Sequence, residues 1–442
     1  IYYSTLATVA IATALATRNL SLPSDMLTEA TSRAHPLAAW LSRFNSIFVL
    51  LACGERILYR LVHMNQVAPA PKLLTFGFWI FMLTNVVSPA LFGRYPSFTH
   101  EYLYMALFGQ CALLFSVYDA ELTIKAIRNA CLLFLVASAA MMAVKPTHVL
   151  DLAYHGLIPL LPRYAGLSPH ANTLGPMIVV CLLCLWHHPF DRLSLNRAAW
   201  ALCLVSLVLT QSKTSWVAFM VSSACIVFYR YRPVLKARFA DPRRPALPAL
   251  VIITIMFFAA VIGAILIFGD VGGTVARMSS TKAGAELASF TGRDEIWQIA
   301  MNEFYRSPIF GYGLTIWDQA FQLSIGIKGA VHAHSQFYHS ASSAGTIGLL
   351  GLGIYALILL VLTLRTARAS GGLSMAIFLI LVIQGVSEVP LLMKGFGPNT
   401  MPHLLLLAVL TAYNLRQPKD SRVQEDATHY QAPRQGKQLS HA

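Results

Sequence analysis

The chain has 442 residues, 56% of them hydrophobic and only 12% charged, with a mean hydropathy of +0.59. Soluble domains carry about 25% charged residues, so a soluble globular protein is excluded. The net charge of +14 does not point to nucleic acid, because the basic residues cluster between apolar runs in the pattern of the positive-inside rule.

Apolar runs near 1–16, 44–54, 74–92, 103–118, 129–144, 173–187, 198–211, 213–229, 249–268, 343–364, 374–392 and 399–415 read as candidate spans. A crossing helix needs about 20 residues, so the shorter runs must borrow flanking residues. Polar Gln211-Ser-Lys-Thr-Ser215 either separates two spans or lies inside one long helix. The chain opens on Ile1 without a charged, cleavable leader pattern, which leaves room for a natural N-terminus upstream. The seven cysteines lie in or beside apolar runs, and Cys181-Leu-Leu-Cys184 has no further Cys or His partner to form a metal or redox site.

Residues 230–244 carry Arg230, Arg232, Lys236, Arg238, Arg243 and Arg244 against Asp241 alone, so this loop is expected in the cytoplasm. With about twelve transmembrane helices and both ends inside, Arg56 and Arg60, Lys125 and Arg128, Arg192 and Arg197, and Arg365 and Arg368 fall on that same side. The expected fold is an all-α polytopic membrane protein. Spans fill 1–269 and 343–415, a long outer loop fills 270–342, and a polar tail over 416–442 is expected to be disordered.

The outer loop carries six acidic and five basic residues, without the bias of the inner loops. Thr291-Gly-Arg-Asp-Glu-Ile-Trp297 opens an amphipathic helix within it, with Thr291 and Asp294 spaced as a capping box. Ile296, Ala300 and Phe304 repeat at four-residue spacing, with Trp297 and Met301 alongside, and Ser307-Pro308 ends the helix. Arg293 then sits in the first turn, where the helix dipole disfavours a cation. It belongs there if an anion lies between it and the free N–H groups; otherwise it is a surface arginine beside Asp294 and Glu295.

Four polar sets converge on the outer face: Arg163 with His170 and Asn172, then Lys213, then Arg293, then His332 with His334. Glu388 adds an intramembrane carboxylate that either pairs with one of these cations or fills a packing defect. Each residue also has a plainer reading, Arg163 and Lys213 as snorkelling anchors and the His and Asn residues as interfacial polar groups. Taken together, fixed cations suit a diphosphate, and a neutral histidine can take a proton from an attacking hydroxyl. No Walker loop, dinucleotide fingerprint or zinc-helix signature is present. A donor activated in advance on a lipid fits an outer-face site.

Thr291-Gly-Arg293…Trp297, then Pro308-Ile-Phe-Gly-Tyr-Gly313, then His332-Ala-His334-Ser335 ahead of Gly345-Thr-Ile-Gly348 resembles the core of the O-antigen ligase and polysaccharide polymerase family. Arg163-Tyr-Ala-Gly166…Asn172-Thr-Leu-Gly175 and Thr210-Gln-Ser-Lys-Thr214 are similar to its upstream motifs, so the likeness is close over roughly 150–365. The resemblance implies a multi-pass enzyme of glycosyltransferase C type in the bacterial inner membrane, acting in lipopolysaccharide or exopolysaccharide biosynthesis. Such an enzyme transfers a glycan from undecaprenyl diphosphate at the periplasmic face, without metal or cofactor. The acceptor is a lipid A–core sugar for a ligase or another lipid-linked glycan for a polymerase. Carried over residue by residue, Arg163 and Arg293 hold the diphosphate and His334 is the base, with Lys213, His332, His170, Asn172 and Glu388 around the substrate. Two departures stand out: Lys213 occupies a usual arginine position, losing the bidentate fork, and Ser335 follows His334 where asparagine is usual. A transporter or flippase for the same lipid-linked glycan is the alternative, and inverted repeats would favour it, but no clear repeat is visible.

Overall fold

The computed structural model describes residues 1–20, 35–63, 71–152, 158, 161–240, 293–327, 330–395 and 397–415. The chain begins with α1 (Tyr2–Leu15) and α2 (Pro36–Val62). Next, α3 (Lys72–Met82) runs through a π-turn at Leu83–Val87 into α4 (Ser88–Phe92). Then come α5 (Glu101–Ala112), α6 (Val117–Val144) and the single turn α7 (Pro146–Val149). Two short antiparallel strands, β1 (Leu150–Asp151) and β2 (Arg163–Tyr164), place Asp151 opposite Arg163. They lead to α8 (Ala171–His187), α9 (Leu193–Leu209) and α10 (Lys213–Ala240). After residue 292 follow α11 (Arg293–Arg306), α12 (Gln319–Ile325), α13 (Gln336–Thr366), α14 (Leu373–Ser387) and α15 (Met401–Leu415).

This is an all-α membrane protein. Among the described residues, Pro36–Val62, Lys72–Phe92, Tyr118–Val144 and Gln336–Thr366 are long and apolar enough to cross a membrane. Helices α1, α8, α9 and α14 are apolar but shorter. The centre is formed by α8, buried continuously from Leu174 to Leu185, and α15, buried from Met401 to Tyr413. Both pack on α6, and helices apolar all round belong in such an interior. By contrast, α2 turns Trp40, Phe44, Ile47, Leu51 and Leu58 outward. An outward apolar face of that extent suits lipid rather than water.

Most apolar runs coincide with helices, and the differences have local causes. The run 103–118 is not one helix, because α5 stops at Ala112 and α6 starts after Ser116. Ser116 Oγ accepts from Asp119 N at 3.2 Å while Asp119 Oδ2 accepts from Ser116 N at 2.8 Å, a capping box that begins a new helix. The Gln211–Ser215 break does separate two helices, with Gln211 in the left-handed region at φ 50°. The basic cluster from Arg230 to Arg238 lies on the end of α10 rather than in a loop. A 28-residue helix is about 42 Å long against a hydrocarbon core of about 30 Å, so its end projects beyond the apolar layer. Thr291, the apolar run 249–268, the earlier part of the outer loop and the tail from 416 lie outside the described residues.

Helix α13 starts at Gln336, well before Ser343, and breaks its own geometry at Gly345, where φ is 66° and ψ is −156°. There the segment after α11 crosses it backbone to backbone. Tyr312 N and Gly313 N donate to Ser342 O and Ser343 O at 2.8 and 3.0 Å, and Thr346 N donates to Pro308 O at 2.8 Å. A Cβ on Gly345 would fall onto the Ile309 carbonyl, and one on Gly311, at φ 73°, onto the Ser343 backbone. The other edge of the segment pairs with the loop after α4, through Arg94 N to Gly311 O (3.0 Å) and Tyr95 N to Tyr312 O (2.8 Å). The Pro308–Gly313 motif is therefore a strap pinned on both sides.

Gly345→Ala should cost roughly 1–3 kcal/mol through strain and overlap, read as a lower melting temperature in detergent. Gly353→Ala, in the same helix with open space around it, should be neutral or slightly stabilising. Equal melting of the two variants would remove the crossing from this account.

Candidate functional site

The polar groups converge on Glu388. It caps the C-terminus of α14, just past the helix rather than inside its apolar run, in extended conformation. Oε1 accepts from Arg293 Nη2 at 3.1 Å and from Asn172 Nδ2 at 3.2 Å. Oε2 faces His334 Nδ1 at 3.4 Å and His332 Nε2 at 3.6 Å. One carboxylate thus has a guanidinium on one oxygen and two imidazoles on the other.

Each partner is set by its element. Arg293 is the first residue of α11, and Glu388 supplies the anion that a first-turn arginine requires. Asn172 lies in the first turn of α8, and its Oδ1 accepts from Arg163 Nη2 at 2.7 Å, so Arg163 reaches Glu388 through an amide. Arg163, on β2, also donates from Nε to Thr210 O at 3.2 Å, at the end of α9. His170 is the N-cap of α8, its Nδ1 accepting from Asn172 N at 3.1 Å. Arg18 beyond α1 holds this corner by donating to Ser168 O and Pro169 O at 2.7 and 3.2 Å.

The two histidines differ. The segment before α13 is bent rather than extended, and His334 adopts φ 48°, a strained position for a non-glycine residue. His334 N donates to His332 Nδ1 at 3.1 Å. His332 Nδ1 is therefore an acceptor, and its proton sits on Nε2, facing Glu388. His332 Nδ1 is committed to that bond, whereas Nε2 only faces the carboxylate at 3.6 Å, beyond hydrogen-bond distance. His334 directs Nδ1 to the carboxylate and keeps Nε2 for other chemistry. Trp297 holds this bend in place: its Nε1 donates to Ala333 O at 3.0 Å, and its ring stacks on Tyr338 at 4.9 Å.

Burial pushes the His332 imidazole down to about 4, with the neighbouring His334 adding to the effect. His170 opens onto a cavity but is closely surrounded by protein, and that enclosure, with Arg163 beside it, lowers it to about 4. Burial alone would raise Glu388, but His334 Nδ1 at 3.4 Å, His332 and the Arg293 guanidinium hold it below its ordinary value. Glu388 is the anion of the cluster.

A cavity of about 1040 Å³ opens beside it, lined by His170, Asn172, His332, His334 and Glu388. Arg163 and Arg293 are not among its lining residues and stand behind the carboxylate. Lys213 is exposed at the first position of α10, outside the cluster, although its neighbour Thr214 meets Ser387 Oγ at 3.1 Å. His332, His334 and Glu388 bring possible ligand atoms within 4.8 Å of one another, close enough for a metal ion. Arg293 already places a positive charge on that carboxylate, so the two roles compete. Sequence reasoning missed the bridging role of Asn172 and the pinning role of Trp297. Their only signal was position, one in the first turn of a span and the other one turn after Arg293.

Residues 198–353 match the model of the O-Antigen ligase family. The stretch contains Lys213, Arg293, His332 and His334, whereas Arg163, His170, Asn172 and Glu388 lie outside it. The match supports activity of the O-antigen ligase or polymerase type. A solved structure described as "Structural coordination of polymerization and crosslinking by a peptidoglycan synthase complex" is similar at 15% identity. It covers 85% of this chain and 98% of that chain with a TM-score of 0.31, too loose an overlap to carry an argument. No curated protein matches the sequence.

His332 stays neutral down to about 4, whereas an unfolded histidine protonates near its ordinary 6.5. Between those values the unfolded chain binds more protons. Stability should therefore be full above about pH 6.5 and fall as pH drops toward 4. Glu388 adds a further loss only below its ordinary 4.5. Melting curves in detergent should show the decline, to which His170 contributes over the same window, and His332→Gln should make the slope between 6.5 and 4 shallower; an unchanged slope would mean the His332 imidazole is not held neutral.

Proposed function

Taking the O-antigen ligase match over residues 198–353 as premise, we propose that this chain is a glycosyltransferase of the inner membrane, spanning it about twelve times. It takes a glycan from undecaprenyl diphosphate at the periplasmic face and attaches it to an acceptor sugar on lipid A–core or on another lipid-linked glycan. The observation that carries this reading is the pairing of His334 with a partly buried carboxylate at a large cavity, with two arginines behind the same carboxylate.

The residues divide the work. Glu388 orients His334 through Nδ1, so Nε2 is the basic nitrogen presented to an acceptor hydroxyl. As that hydroxyl attacks the anomeric carbon, its proton passes to Nε2, and the Glu388 carboxylate stabilises the imidazolium that forms. The bond from the anomeric carbon to the phosphate oxygen breaks, and its electron pair leaves on undecaprenyl diphosphate. Arg293 and Arg163 receive that charge. Arg293 is paired with Glu388. A diphosphate therefore has to take over the guanidinium, which releases Glu388 to pair fully with His334. Donor binding and base activation are coupled through one carboxylate, and this part of the reaction requires no metal.

Purified protein in vesicles with lipid-linked donor tests the reading. His334→Ala should lower turnover by about 10²–10⁴-fold with donor binding little changed, and His332→Ala should be milder. Arg293→Lys should recover little of the activity lost in Arg293→Ala, because the planar fork is gone. Movement of the lipid-linked glycan across the bilayer without transfer would make the protein a transporter.

Orientation has its own test. Single cysteines placed between 295 and 327 should react with an impermeant thiol reagent from outside, whereas those between 232 and 240 should not. The reverse pattern would put the site on the cytoplasmic side.

A further inference from the structure

One wall of the cavity is left unused by proton transfer and by the diphosphate. Trp317 stands in it, only 3% exposed, and its indole Nε1 has no hydrogen-bond partner. An indole N–H can only donate, and buried donors are rarely left unpaired. The backbone there is strained as well, with φ at 72°, the left-handed region that a tryptophan seldom occupies.

The surrounding structure fixes this arrangement. Trp317 O accepts from Gln322 Nε2 at 2.9 Å, and Asp318 N donates to Thr315 O at 3.0 Å. Asp318 Oδ1 accepts from Phe321 N at 2.8 Å, capping α12 and leaving its other oxygen for a ligand. The Phe321 ring meets the indole edge-on at 5.4 Å. Strain held this firmly around an unsatisfied donor points to a ligand that completes it.

The chemistry of that wall selects the ligand. Asp318 lines the cavity beside Trp317, and Asn45 on α2, also on the lining, keeps a buried Oδ1 without a partner. Val9, Val331 and Leu392 supply apolar surface between them. Lys394, also on the lining, is paired with Glu101 at 3.5 Å, so no unpaired lysine or arginine faces this region among the described residues. A donor, several acceptors and apolar patches without a free cation suit a neutral pyranose ring and not a phosphate. A second cavity of about 60 Å³, also lined by Trp317, leaves space beside the indole.

The geometry points to a pyranose subsite at Trp317 and Asp318 that holds the terminal neutral sugar of the acceptor. Trp317 Nε1 donates to a ring or hydroxyl oxygen, and Asp318 accepts from a hydroxyl. The subsite is assigned to the acceptor because the two oxygens of Glu388 separate the site. Arg293 lies on Oε1, with Arg163 joined to it through Asn172, and the imidazoles, which share the cavity lining with Trp317, lie on Oε2. The assignment to an acceptor rests on the glycosyltransferase reading, whereas the sugar subsite does not.

The test uses the full chain in nanodiscs and two kinds of probe. Saturation-transfer NMR with methyl glucopyranoside and methyl galactopyranoside should show binding of at least one. That binding should weaken about fivefold in Trp317→Phe, which keeps the ring and loses the donor. Asp318→Asn, which retains a capping oxygen, should weaken it as well and serves if Trp317→Phe does not fold. Inorganic pyrophosphate should bind both variants as it binds the wild type and should be lost from Arg293→Ala. Pyranoside binding unchanged in both wall variants, or absent from the wild type, overturns the subsite. Loss of the pyrophosphate response alone sinks the diphosphate reading and leaves the subsite standing. In transfer assays Trp317→Phe should raise the acceptor KM with donor KM and kcat near wild type; a raised donor KM instead overturns the assignment to the acceptor.

Discussion

A partly buried carboxylate held by one guanidinium, one amide and two imidazoles governs this structure. Glu388 ends α14 with its charge largely removed from water, a position tolerable only when hydrogen bonds and opposite charge compensate. Arg293 from α11, Asn172 from α8 and the histidines ahead of α13 supply that compensation. Removing any one of them leaves the others facing an unbalanced charge. The cluster therefore ties together segments that are far apart in the chain and belong to both sides of the undescribed stretch at 241–292.

The scaffold under the cluster is largely backbone. The strap over Pro308–Gly313 crosses α13 where that helix breaks at Gly345, and its other edge pairs with the loop after α4. Close approach of two main chains leaves no space for side chains, which accounts for glycine at Gly311 and Gly345. With the strap pinned, α11 is fixed against α13, and Trp297 can clamp the bend that carries His332 and His334. Under the proposed reading rigid placement matters because general-base chemistry depends on close geometry, and the left-handed conformation of His334 persists only if its surroundings determine it.

Division of labour follows from the two oxygens of one acid. Positive charge gathers at Oε1 and titratable nitrogen at Oε2. The arginines stand behind the carboxylate, so under the proposed reading an incoming diphosphate competes with an internal anion. The cavity continues past the imidazoles to a wall of different chemistry, where acceptors and apolar surface replace cations.

Much of this was legible in the sequence because it depends on local rules. Apolar runs located nearly every described helix, since a membrane demands continuous hydrophobicity whatever the tertiary arrangement. Ser307-Pro308 marked the end of α11, and Arg163, Arg293, His332 and His334 stood out as polar groups beside apolar segments. What the sequence left open is governed by distance in space. It could not say that Glu388 would take Arg293 and both histidines, because those contacts join residues 54 to 95 positions apart. It could not exclude Lys213 from the cluster, since a charge at a helix start is equally able to turn inward or out. Nor did it separate His332 from His334: an extended segment would put both on one face, and only the folded bend, with His334 N bonded to His332 Nδ1, commits one ring and frees the other. Hydrophobicity and proline act within a few residues and can be read along the chain, whereas the protonation and pairing of buried groups are decided by whatever the fold brings within about 4 Å.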